Sequence, residues 1–230
     1  MKKNETIPTK PRDAASVIIY KKKNKKYYVL MGKRSIKSKF MPSIYVFPGG
    51  AVDKVDYQLK NFFNLPININ KNKIKTRSDN HTRAIMLAGV RETAEECNLF
   101  LAKRNIDNKN KIPFLNNSWD KFLKNSLSPC FDNLFYFGRA ITPTYLRIRF
   151  HARFFIANYE NFIGTIKSNG ELDDLGWIEI NKAKLLPIAD VTEFLIDRLI
   201  NLKENKKLFD KKNSYPMFTR KNNKEWVKWD

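Results

Sequence analysis

Short apolar runs separated by polar turns open the chain. Residues 15–20 and 27–31 are two such runs around a Lys/Asn turn, the pattern of a β-hairpin. Residues 44–47 make a third strand candidate, which Pro48-Gly49-Gly50 must break. From 57 to about 80 the chain begins apolar and turns polar and Asn/Lys-rich, a long excursion with room for one short helix. Helical periodicity resumes near 83 and runs to about 101, and residues 119–127 predict a shorter helix. Strand-like stretches at 131–141 and 147–157 are joined by the turn Thr142-Pro143-Thr144. A short strand at 177–180 follows the acidic stretch ELDDLG, and 192–202 predicts an amphipathic helix. The tail is charged yet carries Phe218, Trp226 and Trp229, so part of it should dock as a late strand. No repeat or linker interrupts this order, which predicts one α+β domain spanning 1–230.

The helix near residue 90 carries unusual chemistry. At about 100° per residue, Met86, Val90, Thr93, Ala94, Cys97 and Leu101 share one stripe. Glu92, Glu95 and Glu96 fall on the opposite side with Arg91 beside them. Taken alone, three acids on one face suit an ordinary solvated helix, with Arg91 offsetting Glu95. The stretch VFPGGAVDKVD upstream changes that balance. It places a strand and then a double glycine, where backbone can approach a ligand or another chain closely. Hard divalent cations take both carboxylate and carbonyl oxygens.

Composition sharpens the question. The chain has 44 Lys and Arg against 23 Asp and Glu, a formal net charge of +21, so a cluster of acid stands out. Such a balance favours anionic partners. Much of the lysine, however, lies in runs such as residues 21–26, which suit solvated surface. Two cysteines without metal-type spacing argue against a disulfide framework. The N-terminal stretch lacks the apolar core of a signal peptide, and no apolar run is long enough to span a membrane. A cytoplasmic protein without a membrane partner is expected.

Gly50, Asp56 and the run Arg91-Glu92-Thr93-Ala94-Glu95-Glu96-Cys97-Asn98-Leu99 resemble the Nudix box, G-x5-E-x7-R-E-U-x-E-E-x-G-U, in which U is apolar. The resemblance extends from about residue 11 to about 199. Three departures stand out. Asp56 occupies the position of the box's first Glu, 34 residues rather than 7 separate it from Arg91, and Asn98 replaces a glycine. Asn is the other common residue for the left-handed turn that ends a helix. The long insertion, at about 57–82, is similar to that of the Nudix branch containing coenzyme A and acyl-coenzyme A diphosphatases. Arg34-Ser35, Lys39 and Phe47-Pro48-Gly49-Gly50 match a signature of some members of that branch, with Ser43 in place of an expected glycine.

The resemblance implies a Nudix-type α/β/α sandwich with a mixed β-sheet, followed by a charged extension from about 203. It implies hydrolysis of a phosphoanhydride in a nucleoside diphosphate linked to another moiety, with Mg²⁺ or Mn²⁺. By family position Glu92 and Glu96 are metal ligands, Glu95 a further ligand or the base, and the Gly50 carbonyl an additional ligand. Arg91 would orient the glutamates, and Glu171 would supply a later acid, in competition with Asp173 and Asp174. Alternation puts Arg147, Arg149, His151 and Arg153 on one strand face. Arg149 and Arg153, with Arg34 and Lys39, are the expected substrate-phosphate contacts. His81 reads as exposed, His151 as a packing or surface residue, and Cys97 as core. Coenzyme A or its thioesters lead as substrate, with ADP-ribose or a dinucleotide as alternatives. The high charge also permits a nucleic-acid-binding module on the same fold, against which stands the absence of any Gly-aromatic recognition signature. A second copy of the chain is the protein partner considered.

Overall fold

The computed structural model describes residues 8–59, 71–104, 117–210, 214–222 and 224–230. Among them, nine strands form one mixed sheet. The hairpin is β1 (Arg12–Lys23) and β2 (Lys26–Arg34), longer than its apolar centres because the flanking lysines continue the ladder. Next come β3 (Tyr45–Val46), β4 (Gly49–Ala51), the short helices α1 (Lys54–Gln58) and α2 (Lys71–Ile74), and the long α3 (Asp79–Cys97). After these follow β5 (Ala102–Arg104), α4 (Asn117–Lys124), β6 (Leu127–Pro129), β7 (Phe135–Ile141), β8 (Phe150–Asn158) and β9 (Leu172–Glu179). The chain closes with α5 (Ile180–Ala183), α6 (Asp190–Glu204), β10 (Pro216–Lys221) and β11 (Lys224–Trp229).

The strand order is β11-β10-β7-β8-β1-β2-β3, with β4 paired to β1 and β9 to β2. β1 runs parallel to β8 and β10 parallel to β7; the other pairs are antiparallel. Because successive side chains point to opposite faces, β1 feeds two cores. Ala15, Val17 and Ile19 pack with Ile85, Met86 and Ala88 of α3, while Ile18 and Tyr20 join Leu195, Ile196 and Leu199 of α6. Helices therefore cover both faces of the sheet, an α+β sandwich. Among the described residues, no helix is long and apolar enough to cross a membrane.

Several boundaries differ from the sequence reading for local reasons. α3 starts at Asp79 because Ser78 caps it, accepting from the His81 backbone N–H at 3.1 Å. Its first turn is too polar to register as apolar periodicity. It ends at Cys97 because Asn98 is left-handed, at φ 56° and ψ 32°. α4 ends early where Ser126 adopts φ 51° and Leu127 enters β6. β9 reaches back through Leu172, Asp173 and Asp174, since strand pairing to Lys33 and Arg34 supports acids that sequence pattern assigns to a loop. The tail forms two strands rather than one. Part of the expected insertion, residues 60–70, lies outside the described residues, and its last residues are the first turn of α3.

Candidate active site

The acids of α3 do not face solvent. Glu92 and Glu96 are 9% and 4% exposed, and their side chains lie against the double glycine of β4. The Gly49 N–H donates to Glu96 Oε2 at 2.9 Å. A methyl group on Gly50 would stand 2.4 Å from Glu92 Oε1, and one on Gly49 would stand 2.4 Å from the Ala15 carbonyl oxygen. Only glycine lets this strand lie between β1 and α3. Val52 N–H donates to the Asp13 carbonyl and fixes the far end of β4 on β1.

Arg91 ties the site together. Its Nε and Nη2 donate to the two oxygens of Asp56 at 3.1 and 3.2 Å, Nη1 to Glu92 at 2.8 Å and to Glu95 at 3.1 Å, and Nη2 to the Ala51 carbonyl at 2.9 Å. A planar fork with five donors suits this task in a way an ammonium would not. Asp56 is fully buried and sits at N3 of α1, where it also accepts from the Asp53 N–H and completes a capping box. The short helix after the glycines thus brings an aspartate to Arg91 where the box has the longer glutamate.

Charge is concentrated at the floor. Burial pushes the Glu92 carboxyl up to about 7, with Glu95 and Glu171 adding to the shift and Arg91 opposing it. Burial, then the neighbouring Glu92, holds Glu96 well above the carboxylate range, and the Gly49 N–H opposes this. Burial also disfavours the Arg91 charge, but Glu92, Asp56 and Glu95 outweigh it and raise its pKa. Two buried acids whose negative forms destabilise each other are chemically suited to a divalent cation. Among the described residues, no three His, Cys, Asp or Glu side chains converge as a ready cation cage. Glu95 is turned into its ion pair with Arg91.

Above the floor opens a cavity of about 540 Å³. Glu92, Glu96, Gly49 and Gly50 line it, as do Glu171 and Arg34. Apolar walls come from Phe40, Phe47, Phe150, Phe154 and Phe218, and the exposed Met41, Tyr145 and Leu146 stand at its rim. Arg34 donates from Nε to the Phe40 carbonyl at 2.9 Å and from Nη2 to Ser38 at 2.8 Å, which folds the loop after β2. In that loop Ser43 holds φ 63°, a conformation that glycine adopts without strain.

The remaining sequence candidates lie elsewhere. Lys39 is exposed and does not line the cavity. Arg149 is buried, donating to the Thr142 and Thr9 carbonyls. Arg153 is 1% exposed and bound to Asp13 and to the Ile74 and Lys75 carbonyls, on the α3 side of the sheet. It is the opposite, apolar face of β8 that lines the cavity. Asp174 accepts from the Tyr45 hydroxyl, and Asp173 pairs in register with Lys33. His81 is buried rather than exposed, with Nε2 3.0 Å from Asp13 and its ring stacked on Tyr57. His151 is half-buried, its pKa pushed down to about 3 by burial and the charges of Arg153 and Arg139. Cys97 is fully buried core, and burial raises its thiol pKa. Sequence reasoning missed the wall made by Ala189, Asp190, Val191 and Thr192 with Phe218 and Arg220; the aromatic residues of the tail were its only signal.

No protein-family model matches the chain. A Caenorhabditis elegans protein provisionally named nudix hydrolase 7 is 30% identical over 175 residues, covering 73% of this chain and 51% of that protein. The chain thus spans about half the length of the curated relative it matches. Among solved structures, a NUDIX hydrolase from Alicyclobacillus acidocaldarius superposes with a TM-score of 0.67 at 25% identity, over 84% of this chain and 92% of the other. The MutT protein from Bacillus halodurans superposes with a TM-score of 0.50 at 13% identity, over 95% and 97%, a likeness of fold alone. The fold of this chain is the Nudix fold, and its relative and structural neighbours support its place in the Nudix hydrolase superfamily.

Proposed function

We propose that this chain is a Nudix pyrophosphohydrolase. It cleaves the phosphoanhydride of a nucleoside diphosphate linked to another moiety, with coenzyme A or an acyl-coenzyme A as the substrate that fits best. The observation that carries this reading is the pair Glu92 and Glu96, buried side by side at the floor of a cavity and braced by Gly49 and Arg91. Carboxylates would repel a pyrophosphate unless a cation intervened. Glu92, Glu96 and the Gly50 carbonyl would hold Mg²⁺ or Mn²⁺, with Glu95 or Glu171 as a further ligand. When bound, that ion supplies charge neutralisation for the anhydride and a more acidic water.

The protein's own residues do the rest. Arg91 fixes Glu92 and Glu95 against Asp56 and Ala51, so the helix and the glycine strand keep their spacing. Arg34, at the cavity wall, favours the negative substrate. Glu171 is exposed at the same wall and feels both buried glutamates. In this reading it accepts the proton as a water oxygen bonds to phosphorus and the bridging P–O bond breaks. The coenzyme A preference rests on the long insertion in the box, on the match at Arg34-Ser35 and Phe47-Pro48-Gly49-Gly50, and on the apolar walls.

Product analysis tests the proposal. Protein with Mg²⁺ or Mn²⁺ is offered coenzyme A, an acyl-coenzyme A and ADP-ribose, with Glu96→Gln as control. Release of 3′,5′-ADP by wild type alone is expected. AMP released from ADP-ribose and nothing from coenzyme A would keep the chemistry and replace the substrate. Silence on all three, with gel-shifted nucleic acid at low salt, would instead favour a binding module.

A further inference from the structure

Two loops frame the mouth of the cavity, residues 35–44 between β2 and β3 and residues 142–149 between β7 and β8. Of the nine large hydrophobic side chains that stand exposed among the described residues, five lie here: Ile36, Met41, Tyr145, Leu146 and Ile148. Ile36 is 79% exposed and Tyr145 59%. Hydrogen bonds hold both loops at their bases. Arg34 braces the first through Ser38 and the Phe40 carbonyl. Thr142 closes the second: its N–H donates to the Phe150 carbonyl at 2.9 Å, and its hydroxyl accepts from the Phe150 N–H at 3.0 Å. The Phe40 and Phe150 rings meet edge to face with centroids 5.0 Å apart, which sets the loops side by side.

Cations alternate with these apolar side chains. Lys37 and Lys39 follow Ile36 and precede Met41, and Arg147 sits between Leu146 and Ile148; all three are exposed, and neither loop contains an acid. In the adjoining β9, Asp173 lies opposite Lys33 in the ladder and Asp174 accepts from the Tyr45 hydroxyl, while Glu171 lines the cavity itself. A second copy of the chain fits this surface poorly, because it would set the same cations against one another and lysine is depleted at protein interfaces. A bound substrate would not cover it either, since Ile36 and Ile148 do not line the cavity. An anionic lipid surface suits both halves of the pattern. Aliphatic and tyrosine side chains enter the headgroup region, and the cations meet lipid phosphates. The lack, among the described residues, of a helix able to cross a membrane bears on crossing one and not on lying against it.

We propose that these two loops form a peripheral docking surface for an anionic lipid bilayer. Ile36, Tyr145 and Ile148 enter the interface, and Lys37, Lys39 and Arg147 rest on the headgroups. Docked in this way, the cavity mouth opens onto the lipid surface, where an amphiphilic substrate would partition. The inference stands apart from the pyrophosphohydrolase reading and adds a partner to it.

Co-sedimentation of the full chain with vesicles tests the surface, without metal or substrate, so that a failure to dock and a failure to hydrolyse are read apart. Vesicles of phosphatidylcholine alone are compared with an equal mixture of phosphatidylcholine and phosphatidylserine. Wild type should bind the anionic vesicles at least about tenfold more tightly, since each cation near the surface contributes about fivefold. Ile36→Ser combined with Ile148→Ser should weaken that binding by about tenfold or more. The loss should persist at low salt, where charge attraction is strongest. Lys37→Gln with Arg147→Gln should weaken binding to the anionic vesicles alone. Lys22→Gln with Lys25→Gln removes the same charge at the end of β1 away from the cavity and should change little. Equal losses in these two charge variants would reduce the effect to the net charge of the chain and overturn the surface. Binding indifferent to the Ile36→Ser and Ile148→Ser pair, or none to either vesicle at low salt, would also overturn it. Sedimentation velocity checks the rival occupant. A wild-type dimer that the same pair of substitutions dissolves, with no vesicle binding, would assign the face to a second copy instead.

Discussion

Two groups of charged side chains are buried along α3, and they are built in opposite ways. Near its N-terminus, Asp13 lies between Arg153 and His81, and Asp230 accepts from Arg139 at 2.8 Å and pairs with Lys75 at 3.6 Å. Every negative charge there has a positive partner. Burial alone would raise the Asp13 pKa, but His81 and Arg153 outweigh it and hold the carboxyl well below the usual range. Two turns and more along the helix, Glu92 and Glu96 stand together; Glu92 shares the Arg91 guanidinium with Glu95, and Glu96 accepts from the Gly49 N–H. Their pKa values move up instead. A paired cluster of this kind organises a fold. A like-charged cluster opposes it, and its retention at the floor of a cavity points to chemistry.

That contrast can be broken experimentally, and the largest effect should come from Glu96→Gln. Turnover should fall by at least about a hundredfold, since even partners one shell removed from a metal cost about 10- to 100-fold. Thermal melting of the metal-free variant should nonetheless occur at or above the wild-type Tm, because a repelling buried charge is gone. A lowered Tm with activity retained would make Glu96 an ordinary structural residue. Asp13→Asn should do the opposite. Removing the partner of a buried arginine costs about 3 kcal/mol, somewhat less here because Asp13 is itself 26% exposed. Urea denaturation would measure this, and an unchanged midpoint would show that the paired cluster carries no stability.

Arg91→Lys probes the link between floor and frame. A single ammonium cannot serve Asp56, Glu92, Glu95 and Ala51 together, so kcat should fall by about 10- to 100-fold with the fold retained. A fall in stability without loss of kcat would assign Arg91 to the scaffold. The smallest effect concerns pH. Because the Glu92 pKa is raised from 4.5 to about 7 in the folded chain, its contribution to stability is fully present below 4.5 and lost as pH rises through about 7. The Asp13 pKa is lowered, so its contribution is present above its ordinary 3.8 and lost only as pH falls below that. Metal-free protein should therefore melt lower at pH 8 than at pH 5, and Glu92→Gln should flatten that slope. A slope unchanged in Glu92→Gln would show that this carboxyl is not the source.

Much of this frame was legible in order and type. The hairpin, the long helix, the strand pair around Thr142-Pro143-Thr144 and the closing helix all follow from apolar spacing, and Asn98 ends its helix in the left-handed turn its residue type suggests. The acid run and the glycine pair marked the site because they are contiguous in sequence. Arg149 and Arg153 were less readable. Alternation assigns them a shared face but not what covers it: the end of α2 closes over Arg153, and Thr9 and Thr142 take up Arg149. His81 reads as exposed from its polar neighbours, yet Asp13, some 70 residues away, draws it inside.

By itself, then, the sequence determined the order and type of the main strands and helices, where α3 ends, and that acid and glycine would meet. Local pattern and backbone conformation decide those matters. Only the tertiary structure decided that Glu92 and Glu96 are buried against the glycine strand. It also decided that Asp56 reaches the guanidinium from a capped turn, and that α6 and the tail hairpin wall the cavity. The physical reason is the same in each case. Burial and charge pairing are set by what the rest of the chain brings alongside a residue, and those neighbours lie tens to hundreds of positions away.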